Sequence, residues 1–249
     1  MNNSNILQIT DHRPISFPEG PWIMKQVWRN LLFAHWPVEE ADLLPFIPPG
    51  LNLQLFEGRP WISVSPFLID PLRLRGLPPV PFTRRMLELN VRTYVEYHGR
   101  PGVLFFTLEA SNPLAVGAAR TLGHLPYHHA RMHARFEDNS VSYQSTRQEH
   151  GQEAEFKACY TPVSPEAFQA EPGSLVHWLT ERYCLYTADA KGQLYSVDIH
   201  HLPWPLQEAR IEILNNTLTP SLGLKHDAEP SVVTYTEQLD VLIWPIRKL

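Results

Sequence analysis

Cysteine is scarce in this chain, and its two cysteines, Cys159 and Cys184, lie far apart in the sequence. A disulfide framework needs more cysteines, and a thiolate zinc site needs closely spaced pairs. Long apolar runs are also missing, since none approaches the roughly 18 residues that span a bilayer. Residues 1–22 are too polar for the apolar core of a signal peptide. We therefore expect a cytoplasmic protein with free thiols that does not enter a membrane.

Charge of one sign is not concentrated anywhere in the sequence. The 21 basic and 26 acidic residues are scattered and leave a net charge of −5, so no basic stripe indicates a nucleic-acid partner. Hydrophobic residues make up 43% of the chain, which is enough for a sizeable core and too much for a disordered protein. A globular protein is expected.

Glycine is outnumbered by proline, with 12 glycines against 24 prolines, and the prolines divide the chain into short segments. Long helices are therefore not expected. Patterns of β-branched, aromatic and alternating residues predict strands in ten runs, which favours an antiparallel sheet or barrel. The predicted strands are 28–35, 51–56, 61–69, 87–97, 103–108, 131–136, 141–147, 155–160, 194–200 and 232–244.

Capping residues predict two helices. Asn112 and Pro113 precede a helix over 114–122 that Gly123 can end, and Ser174 precedes a helix over 175–183. A third, short helix is predicted over 38–44. We found no repeat, linker or change of composition, so 23–249 is predicted to be a single domain. Residues 1–22 are expected to form a loosely attached N-terminal arm.

The predicted strand 87–97 has two very different faces. Glu88, Asn90 and Arg92 fall on one face, and leucine, valine and threonine occupy the other. A polar face of this kind lies in water in an ordinary two-layered sheet. It can instead line the interior of a barrel that binds a ligand, where Glu88 and Arg92 would share one hydrogen-bond network. The sequence leaves both alternatives open.

Histidines are concentrated near one loop, at His124, His128, His129 and His133. Pro126 interrupts any helix that would align two of them, and neighbouring side chains on a strand point to opposite faces. No motif typical of a metal site is present. We expect no bound metal and no cofactor.

Six segments, spread over nearly the whole chain, carry a resemblance to a known family. They are Leu32-Phe-Ala-His-Trp-Pro-Val38, Glu88-Leu-Asn-Val-Arg-Thr-Tyr94, Pro101-Gly-Val103, Leu125-Pro-Tyr127, Leu179-Thr-Glu-Arg-Tyr-Cys-Leu-Tyr186 and Ile199-His-His-Leu-Pro-Trp-Pro-Leu-Gln207. These segments are similar to the uncharacterised bacterial family DUF2071, the YqjF-like proteins, which is grouped with the acetoacetate decarboxylase superfamily. The resemblance implies an α+β fold built on an antiparallel, cone-like β-barrel with a few short flanking helices.

The same resemblance implies a location for the site. In acetoacetate decarboxylases a proline precedes two lysines, and the first lysine forms a Schiff base with a keto acid. Here Pro126 is followed by Tyr127 and His128, while Glu88 and Arg29 match the positions of the family's glutamate and arginine. Tyrosine cannot form an imine, and the five lysines of the chain lie outside this loop. Acetoacetate decarboxylase activity is therefore not expected.

Three functional hypotheses follow. In the first, the chain is an enzyme, lyase- or hydrolase-like, in which Glu88 acts as a base and Tyr127 and His128 donate and exchange protons. Its ligand would be a small carbonyl or carboxylate compound such as a keto acid, bound by Arg29, Asn90 and Arg92. In the second, the same cavity binds a ligand without catalysis. In the third, Tyr127 fills the cavity and the domain is structural. A homo-oligomer is compatible with each.

Overall fold

The computed structural model describes residues 3–77, 85–149 and 151–249, which form a mostly-sheet α+β fold. The helices are α1 (Asn3–Gln8), α2 (Glu40–Leu43), α3 (Pro113–Gly123), α4 (Leu175–Thr180), α5 (Leu218–Ser221) and a 3-10 helix, Leu44–Phe46. The strands are β1 (Met24–Pro37), β2 (Asn52–Leu53), β3 (Trp61–Leu74), β4 (Met86–Tyr97), β5 (Arg100–Ala110), β6 (Tyr127–Glu137), β7 (Ser140–Glu149), β8 (Gln152–Pro162), β9 (Cys184–Ala188), β10 (Leu194–His200), β11 (Gln207–Asn216), β12 (Val232–Ile243) and β13 (Arg247–Lys248).

The strand pairings trace two closed rings that share a wall. The seven-strand ring runs β12, β1, β3, β4, β5, β9, β10 and returns to β12. The nine-strand ring leaves the same wall at β5 and returns through β6, β7, β8 and β11 to β12. Strands β12, β1, β3, β4 and β5 form the shared wall, so each of its two faces looks into a different ring.

The expectation of an antiparallel sheet is wrong at β5. This strand pairs in parallel with β6 through Leu108 to Ala110 and with β9 through Val103 and Leu104. A parallel pair needs a crossover connection, and α3 supplies one between β5 and β6. The remaining named pairings are antiparallel, as expected.

Local sequence signals account for α3. Asn112 Oδ1 accepts from the backbone N–H groups of Leu114 and Ala115 at 3.0 and 3.1 Å, and Pro113 occupies the first turn. The helix ends where His124 adopts a left-handed conformation. The predicted helix over 114–122 is thus confirmed, and α2 confirms the short one within 38–44.

The predicted helix over 175–183 is wrong in its last turn, because α4 ends at Thr180. Ser174 caps its start, accepting from the N–H of His177 at 3.2 Å. Glu181 leaves the helical conformation, and its carboxylate accepts from the backbone N–H of Trp204 at 3.0 Å. A tertiary contact thus outweighs the helical preference of residues 181–183.

The other differences from the predicted elements concern short or polar segments. The run 51–56 contributes only Asn52–Leu53 to a strand, and Phe56 instead forms an isolated bridge with Arg59. Three strands and two helices lie where neither the alternation nor the capping residues were used to predict one. They are β9, β11, β13, α1 and α5.

The N-terminal segment is held more firmly than expected. Ile6 is fully buried against Leu242 and Trp244. The backbone carbonyl of Ile6 lies 2.7 Å from His200 Nε2, and Trp244 Nε1 donates to the carbonyl of Gly20 at 2.9 Å. The expectation of a loosely attached arm is therefore wrong for residues 3–22, which pack on the outside of the β10–β12 pair.

Gly102 tests the closure of the seven-strand ring. A Cβ atom at this position would lie 2.6 Å from Tyr186 Cε2 and 2.7 Å from the carbonyl oxygen of Cys184, both on β9. We expect Gly102→Ala to lower the free energy of unfolding by about 1–3 kcal/mol through overpacking, as measured by urea denaturation. In Gly117→Ala the new methyl group on α3 meets nothing within 4 Å, and helix propensity should make it neutral or slightly stabilising. Equal stability of the two variants would contradict the close approach of β5 and β9.

Candidate functional site

The polar face of β4 is buried inside the seven-strand ring. Glu88, Asn90 and Arg92 are 5%, 6% and 8% exposed, so the alternative of a solvated polar face is wrong. On the opposite face, Leu89 and Val91 pack in the core of the nine-strand ring. Arg92 shows the direction of the polar side chains, since its Nη2 donates to the carbonyl of Leu179 on α4 at 3.2 Å.

Glu88 and Tyr127 form a direct hydrogen bond. The Tyr127 hydroxyl donates to Glu88 Oε2 at 2.9 Å across the junction where β6 begins. Arg120, at the end of α3, donates through Nε to the backbone carbonyl of Tyr127 and so fixes the start of β6. The loop and the strand that the sequence singled out therefore meet, with tyrosine at the contact.

Burial governs the protonation of this pair. It raises the pKa of the Glu88 carboxyl to about 7, although the hydrogen bond from Tyr127 favours the charged form. Burial and the adjacent Glu88 carboxylate both raise the pKa of the Tyr127 hydroxyl well above its ordinary value. Near neutral pH the site thus contains a carboxyl group that exchanges its proton readily and a phenol that keeps its own.

Tyr143, on β7 of the nine-strand ring, supports Glu88 through a contact that was not predicted from the sequence. Its hydroxyl donates to the backbone carbonyl of Glu88 at 2.8 Å and lies 3.3 Å from the carbonyl of Phe67. Alternation along 141–147 predicts that Tyr143 faces inward. It does not predict the hydrogen bond to Glu88 on β4, because that contact depends on how the nine-strand ring closes. The contact fixes the backbone from which the Glu88 side chain projects.

Arg29 does not join this site. It lies opposite Leu68, which in turn lies opposite Leu87, so Arg29 is on the sheet face opposite to Glu88. Its Nε donates to the backbone carbonyl of Asp70 at 2.9 Å. Arg29 therefore does not lie beside Glu88, because the strand places the two side chains on different faces, and its expected ligand-binding role stays a prediction.

His128 also lies apart from Tyr127, since neighbouring residues of β6 face opposite ways. Its Nδ1 is 2.8 Å from Glu149 Oε2, and Arg120 lies 3.1 Å from the same carboxylate. Desolvation lowers the pKa of His128, while the hydrogen bond with Glu149 raises it in part. His128 therefore does not face Glu88 together with Tyr127, and its expected part in donating and exchanging protons stays a prediction.

A second polar group lies further along the same face, around Tyr94. The Tyr94 hydroxyl is 3.2 Å from Nδ1 of the fully buried His35. The guanidinium carbons of Arg92 and Arg182 lie 5.8 and 5.1 Å from the centre of the Tyr94 ring. Asn90 Oδ1 is buried without a hydrogen-bond partner among the described residues. Arg182 could not be found from the sequence, because it falls in the segment that was predicted to be helical.

Metal ligands are not clustered in the part of the chain that the structure describes, where no three His, Cys, Asp or Glu side chains are placed to hold an ion. Across the same ranges, no helix has the length and apolar character that crossing a bilayer requires.

Solved structures with a similar fold include an acetoacetate decarboxylase and a biosynthetic enzyme. Acetoacetate decarboxylase from Legionella pneumophila matches with a TM-score of 0.63 and 12% identity, covering 98% of this chain and 94% of its own. The enduracididine biosynthesis enzyme MppR, complexed with pyruvate, matches with a TM-score of 0.63 and 13% identity, covering 94% of this chain and 93% of its own. At these identities the likeness shows the fold alone.

Sequence comparison decides the family. The model of DUF2071, described as an uncharacterized conserved protein, matches residues 25–240. The chain belongs to the DUF2071 family. Within it, the uncharacterized protein YqjF of Bacillus subtilis is 47% identical over 234 residues, covering 94% of this chain and 96% of YqjF. The Glu88–Tyr127 pair thus lies in a DUF2071 protein. This protein shares its fold with enzymes that are only 12% and 13% identical to it in sequence.

The raised pKa of Glu88 has a measurable effect on the stability of this DUF2071 protein. Between the ordinary pKa of 4.5 and about 7, the native state keeps the Glu88 proton while the unfolded chain releases it. The contribution is fully present below pH 4.5 and is lost as the pH rises to about 7, which amounts to about 3 kcal/mol. We expect this decrease in the wild type and not in Glu88→Gln, with urea denaturation at pH 5 and pH 8 as the measurement. Parallel profiles for the two proteins would show that Glu88 ionises normally.

Proposed function

We propose that this DUF2071 protein binds a small carbonyl compound inside the seven-strand ring and transfers a proton to or from it through Glu88. In this proposal the ring corresponds to the cone-like barrel of the acetoacetate decarboxylase fold, and the ligand lies against Glu88 and Tyr127. The observation that carries the proposal is the buried hydrogen bond of 2.9 Å between these two side chains.

The geometry of Glu88 fits a general base. Tyr127 donates its hydrogen bond to Oε2, which leaves Oε1 to contact a ligand. A pKa of about 7 lets the carboxylate accept a proton from a carbon next to a carbonyl group and return it elsewhere at neutral pH. On ligand binding, the phenol of Tyr127 would transfer its single hydrogen bond from Glu88 to the oxygen on which negative charge develops. Enolisation is the simplest reaction of this type.

The lysine positions support chemistry without an imine. Lys25 forms an ion pair with Asp240 at 3.1 Å, on the outside of the seven-strand ring. Lys157 lies on β8 in the nine-strand ring, and Lys248 lies on β13. Lys191 and Lys225 lie in loops. None of these positions is at the Glu88–Tyr127 pair, where a Schiff base would have to form.

The MppR structure adds support at the level of the fold. That enzyme is described with pyruvate bound, and its fold matches this chain with a TM-score of 0.63. A keto acid is therefore a reasonable first ligand to test in the corresponding ring.

A second candidate function has its own supporting observation. Tyr127 and Glu88 satisfy each other in the structure, which is what a side chain that fills a cavity achieves. In that case the domain would be structural, and neither catalysis nor ligand binding would depend on Glu88.

Hydrogen exchange into ligands separates these candidates. We expect the protein to speed the incorporation of deuterium next to the carbonyl group of at least one member of a panel of ketones and keto acids, followed by NMR in heavy water. Because Glu88 is the proposed base, Glu88→Gln should lose about 10²–10⁴-fold in rate. His129→Gln is the matched control, because His129 is exposed and lies on the same face of β6 as Tyr127. This variant should keep the wild-type rate. A rate that survives Glu88→Gln would refute the proposed base.

Borohydride reduction tests the absence of an imine. Incubation with acetoacetate or pyruvate followed by reduction should leave the intact mass of the wild type unchanged, because the site offers a phenol in place of an amine. Tyr127→Lys is the informative comparison, since it places an amine next to the buried Glu88. A stable adduct on the wild-type protein would overturn the assignment of chemistry without a Schiff base.

A further inference from the structure

Two buried arginines lie in the seven-strand ring without a carboxylate partner. Arg92 is 8% exposed and Arg182 is 6% exposed, and neither forms an ion pair among the described residues. By contrast, the buried Arg147 in the nine-strand ring pairs with Glu109 at 3.1 Å. Removing a guanidinium from water is costly unless an opposite charge compensates for it. The seven-strand ring therefore holds two positive charges that are not neutralised.

The arginines do have hydrogen bonds, but these come from neutral groups. Arg92 donates to the carbonyl of Leu179, and Arg182 donates to the carbonyl of Trp178 at 2.6 Å and to Gln54 Oε1 at 2.6 Å. Both carbonyls belong to the C-terminal end of α4, and donating to such carbonyls is an ordinary structural role for arginine. Carbonyl and amide oxygens carry only partial charge, so these contacts leave the net charge of the pair in place.

Nearby carboxylates are engaged elsewhere. Glu181 uses Oε1 for the backbone N–H of Trp204 and Oε2 for the hydroxyl of Tyr183. Glu96 is joined to Arg182 only through the amide of Gln54, whose Nε2 donates to it at 3.3 Å. The Arg182 charge is thus compensated by neither acid directly, and burial together with the Arg92 charge lowers the pKa of Arg182 to about 10.

Polar atoms around the arginines are also left without partners. Arg92 Nε and Arg182 Nη2 are buried donors with no acceptor among the described residues. His35 Nε2 and Thr234 Oγ1 are buried and unpartnered as well. Thr234 lies opposite Phe33, whose ring centre is 5.0 Å from the guanidinium carbon of Arg92. His35 belongs to the same group, because its other nitrogen contacts Tyr94, the residue that both arginines approach. Buried polar atoms are normally satisfied, so several orphans in one place indicate a missing group.

We propose that Arg92 and Arg182 bind an oxyanion, a carboxylate or phosphate group, with His35 and Thr234 as further hydrogen-bonding partners. Guanidinium groups match the planar and branched oxygens of these anions better than other cations do. One anion would offset both charges and accept from Arg92 Nε and Arg182 Nη2. These atoms are shielded from solvent, so binding the anion requires the side chains around them to move.

If the proposed function also holds, the site defines the length of the substrate. Arg92 lies four positions after Glu88 on β4, which separates their Cα atoms by about 13 Å along an extended strand. A compound that places its carbonyl group at Glu88 and its anionic group at Arg92 is longer than acetoacetate or pyruvate. This step rests on the proposed function, whereas the anion site itself does not.

Thermal unfolding of the full chain tests the anion site. Inorganic phosphate and glutarate are titrated separately at constant ionic strength set with sodium chloride. We expect at least one of them to raise the melting temperature by about 5 °C at a hundredfold excess over its dissociation constant. A response to phosphate alone indicates a phosphate ester as the natural ligand, and a response to glutarate alone indicates a carboxylic acid.

Variants assign the effect to the two arginines. Arg92→Gln and Arg182→Gln should each abolish most of the rise, and Arg182→Lys should keep part of it because the charge remains. Arg147→Gln is the matched control, since it removes an equally buried arginine from the other ring. It should keep the full rise, even from a lower starting temperature. An equal rise in Arg92→Gln and Arg182→Gln overturns the proposal.

Fluorescence of the wild type decides the matter if the glutamine variants do not fold. The ring centre of Trp178 lies 4.4 Å from the guanidinium carbon of Arg182. Anion binding should therefore change the tryptophan emission in a saturable way, and this change should be absent in Trp178→Phe. No change with either anion, together with no rise in melting temperature, also overturns the proposal. Glu88→Gln separates the two proposals, because it should keep the anion effect while losing proton transfer.

Discussion

A single wall of five strands serves two rings at once, and this constraint governs everything else in the molecule. A strand in an ordinary sheet can keep one face in water, but β4 cannot, since both of its faces are enclosed. Apolar residues solve the problem on the side of the nine-strand ring. On the other side the chain places Glu88, Asn90 and Arg92, whose polar groups must find partners inside the protein. The chemistry of the site is a consequence of that enclosure.

The interior of the seven-strand ring is electrically uneven. At one end burial raises the pKa of the Glu88 carboxyl to about 7, so that both of its protonation states are present at neutral pH, and the phenol of Tyr127 donates to it. At the other end Arg92 and Arg182 remain charged with only neutral acceptors around them. A ligand with one uncharged polar end and one anionic end would meet suitable groups at both, whereas a neutral or cationic ligand would leave the arginines uncompensated.

Sequence reasoning predicted the pattern along β4 because a strand alternates its side chains whatever surrounds it. It could not predict that both faces are enclosed, since that depends on the distant strand pairings that close the two rings. Tyr127 and Glu88 were matched by resemblance and do meet. Arg29 and His128 were matched in the same way, but their side chains lie on the sheet face opposite to Glu88 and Tyr127. The order of residues along the chain does not determine which face of a strand a side chain occupies. Arg182 was hidden by the helical pattern of the segment before it.

One edge of strand β5 is shared between two partner strands, and this arrangement makes folding more difficult. Its second edge pairs with β6 near one end and with β9 near the other, and β9 begins some 80 residues later in the chain. Until that segment is synthesised and docked, part of β5 presents unpaired backbone groups, the kind of edge that recruits strands from other molecules. Such distant pairing also slows folding, because the chain loses entropy before it gains the contacts. The late arrival of β9 thus makes the newly made chain most vulnerable to aggregation just before the ring closes.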